Sequence, residues 1–141
     1  MAINFFEEEV AFTLKNKRKR KKWLKELAIS ENHNIADLNY IFCSDEYLLA
    51  INKEYLNHDT YTDIITFDNS EEAGIIEGDI YISIERVKEN AQTLKTEEEK
   101  EINRVISHGL YHLLGYKDKT KVQSALMRDK EEFAISMYEN T

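Results

Sequence analysis

The 141 residues contain four histidines, and two of them, His108 and His112, stand four apart in the stretch HGLYHLLGYKDK (108–119). At helical pitch this spacing sets both imidazoles on one face, a turn apart, where both can reach one metal ion. An HxxxH pair alone is common by chance, so the surroundings decide. Gly115 ends the helix, and a chain that folds back after it brings Asp118 toward the same ion. Two imidazoles and a carboxylate are a good zinc set, and three protein ligands leave a coordination position open, as in catalytic rather than structural zinc. The same donors can hold iron or manganese. Zinc peptidases of the HExxH kind carry a glutamate directly after the first histidine as general base. Here that residue is Gly109, which argues against peptide hydrolysis by that route. Gly109 also stands mid-helix, where glycine costs about 1 kcal/mol relative to alanine, so a close approach of backbone or ligand is expected there.

The elements that must position these residues follow from periodicity. Residues 2–6 read as a short strand. Trp23, Leu24, Leu27 and Ala28 form an apolar stripe at helical spacing. IADLNYIFC (35–43) has strand composition, and Ser44 or Asp45 offers an N-cap for a helix through about Tyr55. TDIITFD (62–68) and IIEGDIYISI (75–84) read as strands around an acidic loop, and Glu85 to Lys95 resumes a helical pattern. Thr96 and Glu99 have capping-box spacing, which predicts a new helix start. Ile102, Val105, Ile106, Leu110, Leu113 and Leu114 then give that helix a wide apolar arc, so it should be central, and Gly115 is its natural C′ residue. A last helix spans roughly 122–138. The order predicts an α/β (α+β) domain: a small mixed four-stranded sheet packed by about five helices, the central one bearing the metal.

Composition sets the frame. With 42% hydrophobic and 11% aromatic residues, no proline and four glycines, the chain reads as one domain over 1–141 without a linker. No stretch approaches a membrane span or a signal peptide, and the expected location is the cytosol. Cys43 is the one cysteine, so an internal disulfide is impossible and a half-buried strand thiol is expected.

The charge is lopsided. The formal net charge is −8, yet KNKRKRKK (15–22) holds seven cations in eight positions. Setting those seven aside leaves 12 Lys and Arg against 27 acids, a balance of −15 elsewhere. A globally acidic chain repels nucleic acid at long range, so phosphate contacts fall to a local basic patch. Lys17, Arg18, Arg20 and Lys21, read as exposed cations on one short helix, are the candidates.

The metal stretch resembles the signature HGxLHLxGYDH of the YbeY family of rRNA maturation factors, with matches at His108, Gly109, His112, Leu113, Gly115 and Tyr116. INKEYLNHDTYTDIITF (51–67) is similar to that family's LNxxYRxxDxPTxVLSF segment, and GDI (78–80) to its LGDI strand. The resemblance implies a cytosolic, zinc-dependent, single-strand-specific endoribonuclease that matures the 3′ end of 16S rRNA and serves ribosome quality control, with the ribosomal subunit or its proteins as partners. Three departures stand out. The family's third histidine ligand falls on Asp118, with Lys117 before it; its arginine in the YR pair, implied in catalysis, falls on Leu56; and its proline falls on Tyr61. His58 and Lys117 are candidates for the missing cation, and Lys119 flanks the site as well. A ribosome-assembly or RNA-binding factor with a metal site but little catalytic power is the alternative that the loss at Leu56 favours. A metal hydrolase of small substrates is a further one, and it requires a deep, uncharged pocket.

Overall fold

In a computed structural model describing residues 2–141, the elements run β1 (Ala2–Glu8), α1 (Lys17–Ser30), β2 (Asn34–Cys43), α2 (Asp45–Leu56), β3 (Ile64–Asp68), β4 (Ile75–Ser83), α3 (Ile84–Thr93), α4 (Glu98–Leu113) and α5 (Lys121–Glu139). The four strands form one sheet in the order β1-β2-β4-β3. β1 and β4 flank β2 in parallel, while β3 pairs antiparallel with β4. The mixed sheet and five helices are those the sequence pattern predicts. Among the described residues no helix is long and apolar enough to cross a membrane.

Alternation decides the faces. Leu38, Tyr40 and Phe42 of β2 and Ile76, Ile80 and Ile82 of β4 point to one side, where they join the stripes of α1 and α4 in the main core. Trp23 Nε1 donates to the Ala134 carbonyl at 2.8 Å, and the Tyr40 hydroxyl donates to the Ile106 carbonyl at 2.8 Å, so these two polar aromatics are buried with partners, whereas the buried Tyr111 and Tyr138 hydroxyls have none. α2 covers part of the opposite face through Leu48, which packs on Cys43 and Ile65. Cys43 is fully rather than half buried, because α2 closes over the strand end, and burial pushes its thiol pKa up to about 12.

α4 lies against the sheet because two glycines permit it. A Cβ on Gly109 would stand 3.0 Å from Ile80 and 3.1 Å from Ile64, and one on Gly78 would stand 2.7 Å from the Phe67 carbonyl and 2.9 Å from Leu113. The expected close approach at Gly109 is therefore backbone to sheet. Ser44 caps α2 by accepting from the Tyr47 N–H at 3.1 Å.

Two further expectations are corrected. The Thr96/Glu99 capping box does not form: the N-cap of α4 is Glu97, with no side-chain cap bond. The Glu99 carboxylate is instead engaged by Arg20. Arg20 is the second correction. It is 0% exposed, donating from Nε to Asn103 Oδ1 at 3.1 Å and bonding the Lys15 carbonyl and Glu99. It falls at helical spacing from Leu24 and Leu27, on the buried side of α1, so it is a structural pin and not an RNA contact. Lys17, Arg18 and Lys21 are exposed as expected.

Candidate metal centre

The helix end builds the site. Gly115 adopts φ 103°, its N–H reaching the His112 carbonyl at 3.0 Å while the Tyr116 N–H reaches the Tyr111 carbonyl at 3.0 Å. This is a Schellman stop, completed by the Tyr111 and Tyr116 rings at 5.6 Å. Four residues later Thr120 and Gln123 form a capping box that starts α5. Asp118 is held between the two caps, and Ser124 Oγ donates to its carbonyl at 2.9 Å. Tyr116 also donates to Glu31 at 2.8 Å, and Lys130 to the same carboxylate at 2.7 Å, tying the turn to the end of α1.

These constraints bring His108, His112 and Asp118 together, with one ligand atom from each lying within 4.8 Å of the others. His108 Nε2 is 2.9 Å from His112 Nε2 and 3.3 Å from Asp118 Oδ2, and His112 Nε2 is 3.6 Å from that oxygen. Donors of a tetrahedral ion with bonds of about 2.0–2.1 Å stand roughly 3.3 Å apart. The three separations bracket that value.

The tautomers sharpen the fit. His112 Nδ1 donates to the Tyr116 carbonyl at 3.1 Å, and His108 Nδ1 donates to Glu131 Oε2 at 2.6 Å. Both acceptors are oxygens without a proton to give, so both Nδ1 atoms carry the hydrogen and both Nε2 atoms present lone pairs. Two nitrogen lone pairs and a carboxylate thus face one point with no donor among them. A proton is a poor solution there: burial foremost, and then the neighbouring His108, lower the His112 pKa, against the pull of Asp118 and the Tyr116 carbonyl. A cation satisfies all three.

Glu131 had no place in the sequence reading. It is buried on α5, and Arg104 joins it to buried Glu101: Arg104 Nε donates to Glu101 Oε1 at 2.9 Å and Nη1 to Glu131 Oε1 at 3.3 Å. Hydrogen bonding to Glu101, against the cost of burial, holds the Arg104 guanidinium charged above its ordinary pKa. With neutral imidazoles, Glu101, Glu131 and Asp118 outweigh Arg104 by two negative charges. That surplus matches a divalent ion. The donor set therefore fits zinc by number, type and spacing, and a carboxylate on the remote nitrogen of His108 is the support such a ligand needs.

The other candidates lie apart from this cluster. His58 and Leu56 line a separate hollow of about 380 Å³ with Tyr61 and Ile64. Lys117 and Lys119 are exposed and do not line the cleft beside the triad, a recess of about 130 Å³ bordered by Arg104, His108, Asp118, Arg128 and Glu131. A larger hollow, about 460 Å³, adjoins the N-terminus of α4 and the end of α5, and neither histidine of the triad lines it. Small-molecule sites commonly occupy about 300–1,000 Å³, so a recess this small and this charged counts against a hydrolase of small substrates.

Fold and site together define a class: a small α+β protein carrying a three-donor metal-type cluster at the end of its central helix. Comparison with known proteins gives the particular family. A family model described as endoribonuclease YbeY matches residues 2–139. A Cytophaga hutchinsonii relative named endoribonuclease YbeY is 53% identical over 135 residues, covering 96% of this chain and 94% of the relative. A Porphyromonas gingivalis relative of the same name is 44% identical over 139 residues, covering 99% and 91%. The solution structure of TM1509 from Thermotoga maritima superposes with a TM-score of 0.68 at 27% identity, over 97% of this chain and 89% of that one. The chain belongs to the endoribonuclease YbeY family, whose members are nucleases acting on RNA.

Proposed function

We propose that this protein is a zinc-dependent, single-strand-specific endoribonuclease of the cytoplasm that matures the 3′ end of 16S rRNA and serves ribosome quality control, in contact with the ribosomal subunit or its proteins. The observation that carries the metal-dependent part is the convergence of His108 Nε2, His112 Nε2 and Asp118 Oδ2 with no donor between them. The ribosomal part rests on the resemblance of the HGLYHLLGYKDK and 51–67 segments to a family of rRNA maturation factors.

His108, His112 and Asp118 would hold the ion. When bound, it supplies Lewis-acid polarisation of a phosphoryl oxygen and makes a water nucleophile available near neutral pH. The chain's own residues do the positioning. Glu131 and the Tyr116 carbonyl fix the two imidazoles in one tautomer, and Arg104 holds Glu131 in place while Glu101 offsets its charge. Lys17, Arg18 and Lys21 contact the RNA backbone. The first turn of α1 contains no acid, so its cations sit at the positive end of the helix dipole, which is locally unfavourable. Phosphate binding compensates for that placement. The start of α1 is pinned to Glu99, nine residues before His108, which puts the basic surface about 14 Å along α4 from the cluster.

The test is metal content of tag-free protein purified without chelators, beside single-strand cleavage. Wild type should hold about one ion per chain and Asp118→Ala far less. His112→Ala should abolish cleavage of single-stranded RNA, with duplex RNA spared throughout. Equal metal in wild type and Asp118→Ala, or none in either, sinks the proposal. One feature favours the assembly-factor alternative: Leu56, 40% exposed, gives its hollow an apolar edge where the family pattern has arginine. RNA binding without cleavage, unchanged by His112→Ala, would establish that alternative.

A further inference from the structure

We propose that Arg128, on the face of α5 turned to the metal centre, forms a phosphate subsite there and grips the backbone of single-stranded RNA beside the triad. The proposal deepens the nuclease reading and rests on it.

The argument begins with helical spacing. Ser124, Arg128 and Glu131 are four and three residues apart, so they stack on one face of α5. Each outer member of the stack holds a residue of the triad: Ser124 Oγ donates to the Asp118 carbonyl at 2.9 Å, and Glu131 accepts from His108 Nδ1 at 2.6 Å. Arg128 lies between them, and all three residues border the recess of about 130 Å³ that His108 and Asp118 also line. A recess of that size admits a phosphate group.

Two arginines border the recess, and they differ in what their charge already does. Arg104 is consumed by Glu101 and Glu131. Arg128 is exposed, and among the described residues it enters none of the ion pairs, although Asp118 borders the same recess. The Ser124 proton is committed to the Asp118 carbonyl, so the guanidinium is the free donor of this wall. Its forked N–H groups match two phosphate oxygens at once, which a lysine cannot reproduce. The need for it is electrostatic. Glu101, Glu131 and Asp118 offset Arg104 together with the divalent ion the cluster fits, so no net positive charge is left to attract a polyanion without a further cation at that edge.

The experiment uses the full chain and a non-cleavable 2′-O-methyl single-stranded oligonucleotide, with binding followed by fluorescence anisotropy across a salt series. Wild type, Arg128→Ala, Arg128→Lys and, as a remote exposed control, Lys88→Ala are compared, each with its metal content. Arg128→Ala should weaken binding roughly tenfold and lower the slope of log affinity against log salt by about 0.7, the value of one single-strand phosphate contact. Arg128→Lys should keep the slope while losing part of the affinity, Lys88→Ala should change neither, and metal content should be equal in all four. Arg128→Ala binding like wild type overturns the subsite while leaving the nuclease reading intact. Loss of metal in both Arg128 variants overturns it too, by making Arg128 a support of the centre. Wild type that binds no RNA overturns the nuclease reading, and the subsite falls with it.

Discussion

Glu131→Gln isolates what the buried carboxylate does for the centre. The glutamine side chain keeps the volume and presents its one oxygen to the His108 Nδ1–H, so the ring stays oriented, while its NH2 replaces the second oxygen, which accepts from Arg104 Nη1. The charge behind the imidazole is lost. A charge-assisted bond is roughly twice as strong as a neutral one, and removing a partner of a metal-bound histidine typically lowers metal affinity 10–100-fold, about 1.4–2.7 kcal/mol. The upper half of that range is expected here, because the bond is 2.6 Å long and Glu131 is buried. Fold stability should suffer less, since Arg104 remains bonded to Glu101 by two nitrogens. Competition titration of zinc against a chromophoric chelator, with thermal unfolding of the metal-free protein alongside, separates the two effects. An unchanged zinc affinity in Glu131→Gln, with a normal loss in Asp118→Ala, would refute the claim that Glu131 tunes the site through His108.

Three further outcomes follow from the packing and charge pairs. Gly109→Ala gains about 1 kcal/mol of helix propensity but drives a methyl to 3.0 Å from Ile80, an overpacking that costs about 1–3 kcal/mol; a Tm lower by up to roughly 6 °C is expected, and melting above wild type would show that Ile80 and Ile64 yield. Arg20→Ala should cost about 2–4 kcal/mol in denaturant unfolding because it strands Asn103 in the core, whereas Lys17→Ala with Arg18→Ala should leave unfolding unchanged and lower the salt slope of RNA binding. Burial raises the Glu31 pKa, but hydrogen bonds from Lys130 and Tyr116 more than reverse this and leave it below the usual 4.5. A lowered acid stabilises the fold above its unfolded pKa and loses that contribution as pH falls through the folded value. The stability gap between wild type and Glu31→Gln should therefore be full at pH 7 and shrink below pH 4.5; a gap independent of pH in urea titrations would refute the pairing.

What was legible before the structure was local. The four-residue spacing of His108 and His112, the glycine stop and the short return to Asp118 all lie within one turn and its continuation, where helix geometry leaves little choice. The sheet and the central helix were legible for the same reason, through period two in β2 and β4 and a wide apolar arc in α4. Long-range pairing overrode local signals elsewhere. Thr96 and Glu99 have capping-box spacing, yet Glu99 goes to Arg20, and Arg20 hides among exposed cations in sequence although it stands four residues before Leu24 and seven before Leu27.

The charges behind the site follow the same rule, and period alone exposes them. Glu131 belongs to the buried stripe of α5 with Met127, Ala134, Ile135 and Tyr138, and Glu101 to that of α4 with Ile102, Val105 and Leu110. An acid at a core position must find a partner, because burying an unpaired charge costs far more than a fold can spare. Arg104 answers for one of the two acids, and Asp118 within the triad adds another negative charge. Two neutral imidazoles cannot balance what remains. The buried glutamates therefore point, as the histidines do, to His108, His112 and Asp118 as a cluster that could hold a cation.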